Sequence, residues 1–250
     1  MNLKLLLLLG FYGNFFACQP DDSNEPSTYS HEVRVGSSAN HIISGETYKF
    51  LQVQFQYMPD QKPTQRALDE VKVFIESIIE KPKGIEYFID EVPSGGKESY
   101  TTDDIREYER KHRTMFSSGD TLAVYFLFAD ADDAGNDQNS VTLGKAYWNT
   151  SMVLYEKTIS DRTGGIGKPR QDVMESTVLQ HEFGHILGLV NLNDDMVSYH
   201  EDNNHEGHCK NTECLMYWTT GNGSFVQDLV GRQVAPSLDE ACLMDIEARK

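Results

Sequence analysis

A mixed α+β fold, a twisted sheet backed by helices, is predicted from three features of the chain. Tyr48 to Tyr57 (YKFLQVQFQY) alternates apolar and polar residues with the period of a half-buried strand. Thr64 to Glu80 switches to helical spacing, with Leu68, Val71, Phe74, Ile75, Ile78 and Ile79 on one face. Thr121 to Phe128 (TLAVYFLF) is a continuous apolar run, as expected of a central strand covered on both faces.

The remaining elements fit between these. Pro82 and Gly84 end the first helix, and Ile85 to Val92 reads as the next strand. Thr102-Asp103-Asp104 opens a second helix reaching Phe116. After the central strand come two short strands, Val141 to Asn149 and Ser151 to Glu156, then a loop from Ser160 to Pro169 carrying Gly164, Gly165 and Gly167. The acidic segment Asp130 to Asp137 offers alternating oxygens. Ala134 nevertheless stands where calcium would need a ligand, and Val141 where it would need a bidentate Glu, so a solvated surface loop is expected. Asp172 and Glu175 are placed to cap a helix from Asp172 to Leu189, buried through Val173, Val178, Leu179, Phe183, Ile186 and Leu187. The order β-α-β-α-β-β-β before that helix is economical for a sheet backed by helices. Beyond it, Gly221, Gly223 and Pro236 indicate loops in a smaller, irregular C-terminal subdomain.

With 250 residues, 39% hydrophobic and 24% charged, the chain has the composition of one fair-sized domain or two lobes sharing a core. Collagen-like, coiled-coil and fully disordered classes are excluded. Lys+Arg 22 against Asp+Glu 39 gives a net charge of −17, which repels phosphate backbones and anionic headgroups, so no nucleic-acid partner is expected.

Leu3 to Ala17 is apolar behind Lys4 but shorter than the roughly 20 residues that span a bilayer. Residues 1–17 therefore read as a signal peptide. Phe15-Phe16-Ala17-Cys18 resembles the lipobox of bacterial lipoproteins, which implies a lipidated Cys18 and an extracytoplasmic protein on the cell envelope, held to the outer membrane through its lipid alone; an ordinary secretory signal cut near Ala17, with Cys18 a plain thiol, is the alternative. Residues 18–45 are expected to be a tether, on the polar, proline-punctuated stretch Gln19 to Ser27. Residues 46–190 then form the N-terminal subdomain and 191–250 the C-terminal one. With Cys18 lipidated, Cys209, Cys214 and Cys242 remain, an odd set that cannot pair completely within one chain.

The chemistry concentrates in His181-Glu182-Phe183-Gly184-His185. Imidazoles four positions apart lie above one another on a helix, so both can reach one Zn²⁺. Glu182, one step round, is placed to take a proton from a zinc-bound water and pass it to the leaving amine. An incidental pair of core histidines is the alternative, but burying two imidazoles and a carboxylate unpaired costs several kcal/mol by the general scale of polar burial, about 2–7 per group. His200, His205 and His208 crowd the same region.

His181-Glu182-x-x-His185-x-x-Gly188-x-x-Asn191 resembles the metzincin pattern H-E-x-x-H-x-x-G-x-x-H up to its last letter. The resemblance implies a metzincin-like fold, with Gly188 turning the chain so that a third ligand can approach the metal. Asn191 departs from it, a neutral amide being a poor zinc ligand. Downstream, His208-Cys209-x4-Cys214-Leu215-Met216 is similar to archaemetzincins, where the third histidine precedes a Cys-x4-Cys pair and the Met-turn methionine. That similarity implies that Leu192 to Gly207 is an insertion, His208 the third ligand and Met216 the apolar floor of the site; His200, His205 and Asn191 are the alternative ligands. Archaemetzincins also carry a second, structural zinc on cysteines, which here implies Cys209, Cys214 and Cys242 with His200 or His205. A Cys209–Cys214 disulfide beside a free Cys242 is the competing arrangement.

The expected function is that of a zinc metallo-endopeptidase acting on protein or peptide substrates as a monomer, with Glu182 catalytic and His181, His185 and His208 on the metal. By the same resemblance, extended substrate pairs with an edge strand, Val141 to Asn149 or Ser151 to Glu156. The competing expectation is a zinc-containing surface lipoprotein that binds without turnover.

Overall fold

The strongest signals in the sequence become the middle of one sheet. A computed structural model describes residues 29–138, 140–192, 196–219 and 226–250. The signal peptide, Cys18, the first part of the tether, Gly221 and Gly223 lie outside the described residues. In chain order the elements are α1 (Ala39–Ile43), β1 (Phe50–Tyr57), α2 (Gln65–Ile78), β2 (Ile85–Glu91), β3 (Ser99–Tyr100), α3 (Thr102–His112), β4 (Thr121–Phe128), β5 (Asp132–Asp133), β6 (Gly144–Trp148), β7 (Ser151–Leu154), α4 (Glu156–Arg162), α5 (Gln171–Ile186), β8 (Glu201–Asp202), β9 (His205–Cys209) and α6 (Glu240–Glu247).

The main sheet has five strands in the order β2-β1-β4-β7-β6. The pairs β1–β2, β1–β4 and β4–β7 are parallel, whereas β6 runs antiparallel to β7 and forms the edge. Of the two expected short strands, only the first is therefore an edge. On β4, Leu122, Val124, Phe126 and Phe128 face one apolar cluster, and Tyr125 and Leu127 face another. The first cluster takes in side chains of α2 and α5, and the second Ile105 and Tyr108 of α3. This double cover is what the unbroken apolar run predicts.

Local chemistry sets the boundaries. Thr64 caps α2 by accepting from Ala67 N–H, and Thr101 and Asp104 form a capping box on α3. On β1 the polar positions are not solvated as the alternation implies. Gln54 and Gln56 are buried, donating to Thr114 Oγ1 at 2.6 Å and the His112 carbonyl at 3.0 Å. Period two marks two faces here, both covered, one of them by hydrogen-bonded amides.

Three expectations are corrected. Residues 29–45 are packed structure and not tether: α1 buries Ala39, Ile42 and Ile43, and Asn149 Nδ2 donates to the Ser30 carbonyl at 2.9 Å and Ser38 Oγ at 2.6 Å. The apolar pair Ile42-Ile43 outweighs the polar composition before it. The acidic loop is anchored and not merely solvated. Tyr155 Oη and Lys145 Nζ donate to Asp133 at 2.6 and 2.8 Å, and Tyr100 Oη to Asp130 at 2.7 Å. The cap expected at Asp172 is absent: α5 begins at Gln171, Asp172 pairs with Arg170, and Glu175 accepts from Thr64 N–H at 2.9 Å.

Candidate metal centre

Helix α5 places His181, Glu182 and His185, and its burial on nearly every side makes it a rigid mount. The helix closes with a Schellman arrangement: Gly188 N–H donates to the His185 carbonyl at 3.0 Å and Leu189 N–H to the Gly184 carbonyl at 3.1 Å, with Gly188 at φ +68°. The glycine expected to turn the chain does so in the left-handed region that a side chain resists.

The returning segment brings His208, at the end of the β8–β9 hairpin, to the two helical histidines. One nitrogen from each of His181, His185 and His208 falls within 4.8 Å of the others. His181 Nε2 and His185 Nε2 stand 3.1 Å apart. His181 Nδ1 lies 2.8 Å from the Leu215 carbonyl and His208 Nδ1 3.0 Å from that of Glu206. A carbonyl only accepts, so both Nδ1 atoms carry the proton and both Nε2 lone pairs are left for a metal. Burial holds all three imidazoles below the usual histidine range, His181 at about 3, which keeps them neutral as ligands must be. His185 Nδ1 is buried with no hydrogen-bond partner.

The other candidates for third ligand are engaged elsewhere. His205 stacks on Trp218 with ring centroids 4.0 Å apart and its Nδ1 is 2.8 Å from Asp202. His200 Nδ1 is 2.8 Å from the Ser198 carbonyl. Asn191 Nδ2 donates to Glu201 at 2.9 Å.

Glu182 is buried, and burial pushes its carboxyl up to about 7 despite the Ala146 N–H that donates to Oε2 at 2.8 Å. Its neighbour Gly144 is a steric requirement: a Cβ there would lie 2.6 Å from Val178 Cγ1 and 2.9 Å from Glu182 Cγ. Together with Lys145, Ala146 and Trp218, these residues line a cavity of about 310 Å³ open along β6. Met216 lies wholly buried beneath the helix, where a Cβ on Gly184 would overlap its sulfur. The close fit of Gly184 on Met216, the carbonyl of Leu215 and the amide of Ala146 were not identified from the sequence. Only the glycine inside the His-Glu motif could have signalled the first, and the backbone groups carry no residue signal.

A second cluster adjoins the first. Cys209, Cys214, Cys242 and Asp239 bring one donor atom each within 4.8 Å of one another. The cysteines are free and buried, so the competing Cys209–Cys214 disulfide is not formed. Hydrogen bonds from Cys209 and Cys242 drive the Cys214 thiol down while those two partners are raised, so the three thiols share one negative charge and a bound metal would have to displace the remaining protons. Among the described residues the fourth member is Asp239 and not the expected His200 or His205; His200 Nε2 stands 3.6 Å from Cys242 Sγ and 3.6 Å from Asp245 Oδ2. Asp239 reaches the cluster as the N-cap of α6, where its side chain accepts from Cys242 N–H.

Among solved structures, the archaemetzincin of Methanopyrus kandleri matches with a TM-score of 0.52 at 13% identity, over 83% of this chain and 98% of that one. The chain has an archaemetzincin-like fold. A zinc-dependent peptidase from Methanocorpusculum labreanum matches at TM-score 0.49 and 15% identity over 77% and 99% of the two chains. Metalloproteinase-II from Bacteroides fragilis matches at 0.44 and 16% over 90% and 58%. No protein-family model and no curated protein matches the sequence. The archaemetzincin-like fold thus agrees with the resemblance read from the His208–Met216 segment.

Proposed function

We propose that the chain is a zinc-dependent peptidase that cleaves within protein or peptide substrates. The observation that carries this reading is the convergence of three neutral imidazoles beside a buried glutamate. The archaemetzincin likeness and the zinc peptidases among the matched structures support it. Bound zinc would supply Lewis acidity, polarising a scissile carbonyl and lowering the pKa of water to about 7. His181, His185 and His208 would hold it through Nε2. Glu182, held at Oε2 by Ala146, has Oε1 to take the proton from the attacking water and pass it to the leaving amine. An extended substrate would lie along β6, the edge strand that borders the cavity. The thiol cluster with Asp239 would hold a second, structural zinc. With Cys18 lipidated, the monomeric domain would stand outside the cytoplasm on the envelope.

Glu182→Gln keeps zinc content and lowers casein or gelatin cleavage by about 10²–10⁴-fold, the general acid–base contribution, whereas His208→Ala loses the zinc itself. Wild-type protein that holds zinc yet cleaves no peptide in a library would favour the binding-only alternative, against which the intact Glu182 argues.

A further inference from the structure

We propose that Asn191 is a positioning residue for the metal centre: its side-chain amide clasps Glu201 and so fixes the hairpin that delivers His208. This rests on the zinc reading and adds a role for the one position that breaks the metzincin pattern.

The chain leaves α5 through three left-handed residues, Gly188 at φ +68° and, after Leu189, Val190 at +54° and Asn191 at +65°. Asn is among the few residues with a side chain that accept this region readily, so its identity already serves the turn. From there Nδ2 donates to Glu201 Oε2 at 2.9 Å. The other carboxylate oxygen of Glu201 accepts from Gly207 N–H at 2.8 Å, and the next residue is His208. Glu201 is only 9% exposed, so water replaces neither bond cheaply.

A second contact locks the same junction. Leu192 closes over Gly207, which sits at φ +77° and where a Cβ would stand 3.3 Å from Leu192 Cδ2. The hairpin itself is short, Glu201 pairing with Cys209 and Asp202 with His205. Two strands of this length cannot aim a side chain alone. The clasp therefore joins the helix carrying two ligands to the hairpin carrying the third, while the Glu206 carbonyl orients the His208 ring. It acts at one remove from the outer sphere, whose members are the Leu215 and Glu206 carbonyls on the ligand rings.

The test is a cobalt(II) titration of the metal-free full chain. The visible d–d absorbance that depends on His208 reads the histidine site, and the thiolate charge-transfer band reads the cysteine cluster. Asn191→Asp sets a carboxylate against Glu201 and should weaken cobalt at the histidine site, by no more than the roughly 10- to 100-fold that losing a direct outer-sphere partner costs. Asn191→Ala should do the same with full occupancy at saturation, which separates positioning from ligation. In both, the thiolate band stays as in wild type, and the metal-free chain still unfolds in one transition, shifted down only by the lost hydrogen bond to Glu201. The double variant Asn191→Asp/Glu201→Gln restores affinity, because the new amide can donate to position 191 and still accept from Gly207. Wild-type affinity in Asn191→Asp, or a double variant as weak as the single one, overturns the proposal. Absence of any His208-dependent band in wild type brings down the zinc reading itself, and this inference with it.

Discussion

The sheet with its flanking helices and the segment beyond residue 191 solve the same problem by different means. In the first, β1 and β4 bury Leu51, Val53, Phe55, Leu122, Val124, Phe126 and Phe128 against helices, and position follows from packing. In the second, regular structure among the described residues shrinks to a five-residue strand, a two-residue strand and one short helix. Leu215, Met216, Leu229, Leu238 and Ile246 are buried there, but next to three thiols, and the segment is held by side-chain clasps such as Asn191–Glu201. A region too thin to form its own core can still aim a ligand if a few polar bonds fix it to a body that has one.

Removing metal should break the second region and spare the first. Structural zinc in small peptides is worth about 10–16 kcal/mol in apparent affinity, so chelation is the largest perturbation available. Hydrogen exchange should accelerate across residues 196–219 and 240–247 while β1 and β4 stay protected; uniform exchange in both would refute the contrast.

The converse variant acts on the sheet alone. Glu109 and Arg113 form an ion pair at 2.7 Å that is buried on both sides, supported by Ser151 Oγ at 2.7 Å and by the Ala123 carbonyl. Glu109→Ala strands the guanidinium, at a cost of about 3–5 kcal/mol, and should leave zinc content unchanged. Urea unfolding and metal analysis on the same sample read both halves.

Gly184→Ala strikes the seam. The added methyl presses on Met216, and overpacking of this kind costs about 1–3 kcal/mol. Because Leu215 moves with its neighbour, metal affinity should fall in the same variant, which no sheet substitution should achieve.

The smallest effect concerns Glu156 and Glu175, whose carboxyl groups share the amide of Gln171 at 3.1 and 2.9 Å. Burial raises both above the ordinary carboxylate range, and for Glu156 the neighbouring Glu175 adds to it. A raised carboxyl gives its full stability when protonated and loses it as pH climbs through the raised value. Glu156→Gln should therefore melt higher than wild type at neutral pH, with the difference shrinking towards about pH 4, the unperturbed carboxylate value. A constant or inverted difference would rule this out.

How much of this was legible follows from what each signal measures. The apolar run at Thr121–Phe128 reports burial directly, and β4 occupies the same residues. His181, Glu182 and His185 were legible because their spacing and their chemistry share one helix. The third histidine was ambiguous because its approach depends on a hairpin and on Asn191–Glu201, contacts that no periodicity encodes. Ile42-Ile43 were masked by the polar stretch before them, and Asp239 by its ordinary appearance at the start of a helix.

Cys214, Leu215 and Met216 point three ways in three consecutive positions: a thiol into the sulfur cluster, a carbonyl onto His181, and a thioether under Gly184. Such a stretch has no slack. Inserting or deleting a single residue beside it would slide all three groups out of register at once, disarming both donor clusters in one stroke.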